Sequence, residues 1–162
     1  MDLDYLLQVA SKVGLALVIG IVLGLNRWLH HKSAGIRTHS LVAIGSALLM
    51  LLMESYEGFD SQAMSRVIQG LITGVGFLGA GVIIHLDRAR KVHGLTTAAS
   101  IWVCAILGAV IGAGRYELAL IALGSVMMVL VLGGYIEKIT GQLLGIERDS
   151  EVPSNEDDAD LT

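Results

Sequence analysis

The stretch that decides the fold is GLITGVGFLGAGVIIHLDRARKVHGLTTAASIW, residues 70–102. A glycine-rich apolar run, Gly70 to Ile84, passes into a short basic connection with His85, Asp87, Arg88, Arg90, Lys91 and His93. A second apolar run follows, opened by Gly94, Thr96 and Thr97. A helix rises about 1.5 Å per residue, so about 20 apolar residues cross a hydrocarbon core of about 30 Å. Two such runs joined by a cationic turn read as a helical hairpin through a bilayer. The glycines indicate how such helices pack. Gly70 and Gly74 lie four apart on one helix face, and Gly76, Gly79, Ala80 and Gly81 make a second small surface. Small residues let lipid-embedded backbones approach and pack by van der Waals contact.

Composition agrees. Hydrophobic residues make up 54% of the chain, above the roughly 45–50% of soluble domains. The net charge of -4 is a poor guide, because the acids gather near the C-terminus and the bases in two loops. A single cysteine, Cys104, excludes an internal disulfide. The length suits one helical bundle.

Working outward, we expect five transmembrane helices: about 13–29, 36–53, 66–85, 95–113 and 117–136. The start of the chain is acidic (Asp2, Asp4), unlike the basic opening of a signal peptide, so the first helix is expected to be retained. Lys12 is expected to snorkel from its outer end. Gly20/Gly24 and Gly108/Gly112 repeat the four-residue spacing, which also suits a homodimer. Arg27, Lys32, Arg37, Arg88, Arg90 and Lys91 fall in two connections, against Arg66 and Arg115 in the others. The positive-inside rule then places the N-terminus in the periplasm and the C-terminus in the cytoplasm. Residues 1–141 form the membrane domain. Residues 142–162 read as an acidic tail too polar to offset its ordering entropy. Gly35-Ile-Arg-Thr38 and Gly94-Leu-Thr-Thr97 both open a helix after a basic loop. Either helices 1–2 and 3–4 are two parallel hairpins of a duplicated fold, or Gly and Thr simply mark helix starts.

VGFLGAGVI followed by HGLTTAASIW, with GLNRWLHHKSAGIRTHSLVAIGSAL earlier, resembles the two signatures of the MgtC/SapB family of bacterial inner-membrane proteins. The resemblance spans roughly residues 14–114. It implies an all-α polytopic inner-membrane protein tied to growth at low Mg²⁺, survival of pathogens inside host cells, membrane potential and inhibition of the F-type ATP synthase. A magnesium-transporter label also attaches to the family. Asn26 stands where the family commonly has glutamate, and Ala63 where relatives often have aspartate. The chain resembles the shorter members that lack a C-terminal cytoplasmic domain.

Intramembrane charge is costly and usually functional, yet no Asp or Glu falls mid-helix in this reading. Mg²⁺ prefers hard oxygen ligands, so an autonomous Mg²⁺ path is not evident. The candidate polar cluster is Asn26, Arg27, Arg37, Thr38, His39, Arg66, Thr96 and Thr97; Ser100 and Thr73 read as packing hydroxyls. The same residues also suit capping and interhelical hydrogen bonds of about 0.6 kcal/mol each. His30, His31, His39, His85 and His93 lack a paired-ligand spacing, so no metal site is assigned. Trp28, Tyr56, Tyr116 and Tyr135 suit an interfacial belt, with Trp102 deeper and packed. There is no nucleophile–base pair, and the glycines of 74–81 follow no strand, so they are not a dinucleotide fingerprint. The expectation is a non-enzymatic membrane regulator without cofactor or nucleic-acid partner. It would act by helix contact in the bilayer, for example on ATP synthase. The alternative is an ion transporter or channel.

Overall fold

The structure is a computed structural model that describes residues 3–55, 61–86 and 91–144. Five helices dominate it: α1 (Leu3–Leu29), α2 (Ile36–Glu54), α3 (Ser61–Gly81), α4 (Leu95–Gly112) and α5 (Tyr116–Leu143). All five are long and apolar enough to cross a membrane. The expected all-α membrane bundle is therefore the architecture found.

Helix limits differ from the sequence reading at three places. α1 begins at Leu3, ten residues before the expected start at Val13. Lys12 does not end the helix, because its ammonium is 2.6 Å from the Glu54 carboxylate at the end of α2. Lys12 is consequently buried rather than snorkelling. α3 runs over Ser61–Gly81 instead of 66–85. Val82 and Ile83 turn back onto the Gly79 and Ala80 carbonyls. A two-stranded antiparallel ladder, β1 (Ile84–Leu86) with β2 (Lys91–His93), then takes over. α5 reaches Leu143, which brings Glu137 and Lys138 into its last two turns.

The chain divides into two units, residues 1–127 and 128–162. In the first unit, α1 and α2 form an antiparallel hairpin. Gly20 faces Ser40 and Gly24 faces Ile36, so closely that added Cβ atoms would lie 2.5 Å from the Cα of either residue. α2 and α4 run parallel. Gly108 backs onto the Ala43 carbonyl, and a Cβ at Gly112 would lie 2.5 Å from the Ala47 carbonyl. α3 packs antiparallel on α4, with Val75 among Ile101 and Ala105. α4 thus touches α1, α2 and α3 and is buried on more than one face. Ile19, Leu23, Ile101, Leu107 and Ile111 fill the core. Lipid tails are as apolar as these side chains, so close fit is what favours their contact.

Gly94 has φ 91, and a Cβ there would strike the Val82 carbonyl. Only glycine joins β2 to α4 in this way. The described part of the second unit, residues 128–144, is the remainder of α5, with exposed Met128, Val129, Leu132 and Ile136. The expected acidic tail lies outside the described residues from 145 onward.

Candidate functional site

The buried face of α1 reads Lys12, Ala16, Ile19, Gly20, Leu23, Gly24 and Arg27. These positions recur at three and four residues, a single helical stripe. The glycines seat α2 on the stripe, and α2 begins opposite Gly24. Arg27 comes three residues later on the same face, past the start of α2, and reaches α4. Its guanidinium donates to the Thr97 hydroxyl at 2.7 Å.

A chain of polar contacts continues inward from Thr97. Ser100 Oγ is 2.7 Å from the Thr97 carbonyl and 3.1 Å from His39 Nε2. His39 Nδ1 is 3.0 Å from the Gly35 carbonyl. One helical turn deeper, the Cys104 thiol donates to the His39 carbonyl at 3.2 Å. His39, Thr97, Ser100 and Cys104 are all buried, and His39 completely. The cluster therefore ties α1, α2 and α4 together at the end where α1 finishes and the other two begin.

Its hydrogen bonds are linked through one proton. The Gly35 carbonyl can only accept, so His39 Nδ1 carries a hydrogen. Ser100 has a single hydroxyl hydrogen for two neighbours. With a neutral imidazole, Ser100 donates to His39 Nε2. With an imidazolium, Nε2 donates to Ser100, which then donates to the Thr97 carbonyl. The geometry accommodates both protonation states through rotation of one hydroxyl.

Among the described residues two buried side-chain polar atoms have no partner, Arg27 Nε and Ser40 Oγ. Arg27 is 5% exposed. Among the described residues no carboxylate pairs with Arg27, and the Lys12–Glu54 ion pair lies elsewhere. That second polar locus lines a pocket of about 120 Å³ with Tyr5, Gln8, Val9, Leu51 and Ser55 at the opposite end of the α1–α2 hairpin.

Of the cluster read from sequence, the structure brings together Arg27, His39 and Thr97. Arg37, Arg66 and Thr96 are exposed, and Asn26 and Thr38 are half-buried; none of the five enters the bonded chain. Thr73 donates to the Gln69 carbonyl on its own helix. Ser100, read as packing alone, is a central member, and Cys104 joins it through the His39 carbonyl, while Ser40 on the neighbouring position faces Gly20. Ser40 and Ser100 fall inside the stretches that resemble the family signatures, while Cys104 lies beyond them; a further signal is spacing, since Thr97, Ser100 and Cys104 recur at three and four residues along α4.

The glycines divide as well. Gly20, Gly24, Gly108 and Gly112 sit at backbone contacts, and Gly79 lies 3.5 Å from Ala98 by its would-be Cβ. Gly70, Gly74, Gly76 and Gly81 meet nothing within 4 Å. The close-packing expectation for those four is corrected within this chain, because α3 presents only one narrow face to α4. Trp102 is also corrected: it is 41% exposed rather than packed.

Among the described residues no three His, Cys, Asp or Glu side chains gather as metal ligands. His30, just past the end of α1, bonds back to the Asn26 carbonyl, 2.6 Å away. Arg88 and Arg90, and the side chains of His85 and Lys91, lie outside what is described.

Comparison with known proteins places this arrangement. The chain is 46% identical over 141 residues to protein SrpB of Synechococcus elongatus, covering 80% of this chain and 75% of that one. It is 45% identical over 119 residues to YhiD of Escherichia coli K12, which carries a magnesium-transporter label, covering 68% and 52% of the two chains. It is 37% identical over 107 residues to protein MgtC of Brucella abortus, covering 66% and 43%. The chain thus spans about half or less of the latter two relatives. No solved structure matches it. The MgtC family matches residues 13–139, a range that takes in α2, α3 and α4 whole, most of α1 and of α5, and every residue of the buried cluster, and the chain belongs to that family.

Proposed function

We propose that this protein is a multi-pass inner-membrane regulator of adaptation to low Mg²⁺ and related stress. It acts by helix contact with another membrane complex, for example the F-type ATP synthase, and catalyses no reaction. The carrying observation is the closure of α1, α2 and α4. Their backbones meet at Gly20, Gly24, Gly108 and Gly112, and the polar groups between them bond to one another. No line of carboxylates runs through this contact among the described residues. α3, in contrast, is largely unburied, with Phe77 82% exposed. Such a surface suits a protein partner or a second copy of this chain. The basic connections at 27–37 and 86–93 face the cytoplasm in this reading.

The magnesium-transporter label of YhiD favours a second reading, an ion transporter or channel. The buried cluster is then its polar element. A fixed guanidinium in a narrow low-dielectric passage repels cations, so the cluster suits an anion better than Mg²⁺.

Dye-reported Mg²⁺ uptake into proteoliposomes holding only this protein separates the two. We expect no flux above empty vesicles. Saturable Mg²⁺ flux lost on Thr97→Val would establish the transporter instead.

A further inference from the structure

Among the described residues Arg27 is a buried cation without an anion. The hydrogen bond of its guanidinium goes to a neutral hydroxyl, that of Thr97, and its Nε has no partner among them. Leaving a charge unpaired away from water is costly, so the position calls for a negative group.

The helix ends around it carry the same sign. Thr97 is the third residue of α4, so the guanidinium reaches the first turn of that helix. First-turn N–H groups have no acceptor within their helix and form the positive end of its dipole. The N-cap residues of α2 and α4 are Gly35 and Gly94; neither offers a side-chain cap, and neither helix has an acid in its first turn. α2 starts against Gly24, three residues before Arg27 on the same face of α1. A buried guanidinium and two uncapped helix starts thus share one corner, and the described residues supply no negative charge there.

We propose that this corner binds a phosphate oxyanion, held by the Arg27 guanidinium, the Thr97 hydroxyl and first-turn N–H groups of α4. A guanidinium fork matches phosphate oxygens, and helix N-termini are ready anion sites. The depth fits as well. Arg27 is two residues from the end of α1, beside Trp28, which is 61% exposed. Exposed tryptophan at a helix end marks the headgroup level. A lipid phosphodiester and free inorganic phosphate share this chemistry. The site does not depend on the regulator reading, and its loss would leave that reading standing.

The test uses the full chain in nanodiscs of phosphatidylcholine alone, with added phosphatidylglycerol, or with added inorganic phosphate. Thermal midpoints and native mass spectra are recorded. One probe should raise the wild-type midpoint by on the order of 5 °C near saturation and remain as an adduct. An effect of phosphatidylglycerol alone identifies the lipid source, and an effect of inorganic phosphate the soluble one. Arg27→Gln should abolish the shift, and Arg27→Lys and Thr97→Val should each reduce it at least twofold. Arg37→Gln, at an exposed position, should keep it. The proposal fails if neither probe shifts the wild type. It also fails if the full shift survives in Arg27→Gln or, should that variant not fold, in both Arg27→Lys and Thr97→Val.

Discussion

Single atoms decide most at the glycines of the α1–α2–α4 contact. A methyl group at Gly108 has no space, because the Ala43 carbonyl occupies it. Backbone cannot move aside as a side-chain tip can. Gly108→Ala should therefore destabilise by about 1–3 kcal/mol, the usual cost of overpacking. Gly74→Ala, in open space, should change stability by less than about 0.5 kcal/mol. Thermal unfolding in detergent compares the two; equal losses would contradict the packing described. Ser100 and Thr97 make a second contrast. Ser100→Ala removes a hydroxyl that links His39 to α4 and should cost about 0.6 kcal/mol, the average for such bonds in membrane helices. Thr97→Val should cost more, since it strips a hydrogen bond from a buried guanidinium.

Among the elements, α1 and α2 are held at both ends of their hairpin. Gly24 meets Ile36 near one end, and Lys12 pairs with Glu54 near the other. Glu54 alone replaced by leucine leaves the Lys12 ammonium buried and unpaired. Removing both charges leaves neither. The double variant Lys12→Met/Glu54→Leu should therefore be more stable than Glu54→Leu alone. Denaturation midpoints of these two variants, of Lys12→Met and of the wild type complete the cycle, and a double variant weaker than Glu54→Leu would exclude a coupled pair. The hairpins also echo one another. Fifty-nine residues separate Gly35 from Gly94, and the same interval separates Gly20 from Gly79. Gly20 faces Ser40 on α2, and Gly79 faces Ala98 on α4. Corresponding glycines thus meet the following helix near its start, at its fifth residue in one hairpin and its fourth in the other, as a duplicated hairpin would place them.

For the molecule as a membrane protein, the sidedness of its loops is the leading property to measure. The excess of Lys and Arg at 27–37 and 88–91 predicts that a reporter fused after Arg90 reads the cytoplasm and one after Asp60 the periplasm. The reverse result at either fusion would invert the orientation. It would also move the Arg27 corner to the periplasmic face and exclude cytoplasmic phosphate as its ligand.

The five helices and their order follow from the sequence alone. Hydrocarbon thickness sets a minimum apolar length, and the bilayer forces backbone groups to bond within each helix. Those demands are local, so a one-dimensional pattern carries them. The sequence also showed that small faces matter, through Gly20/Gly24, Gly70/Gly74 and Gly108/Gly112. It did not show which of them meet a neighbour, since spacing within one helix holds no information about the helix opposite. Tertiary structure made that choice, closing the first and third pairs and leaving the second open. It chose among the cations too. Arg27 and Arg37 look alike in a basic loop, yet one continues the buried stripe of α1 while the other lies exposed on α2. It also carried α1 back through Lys12 to Leu3, because the counter-charge that permits a lysine inside that helix sits 42 residues away, on α2.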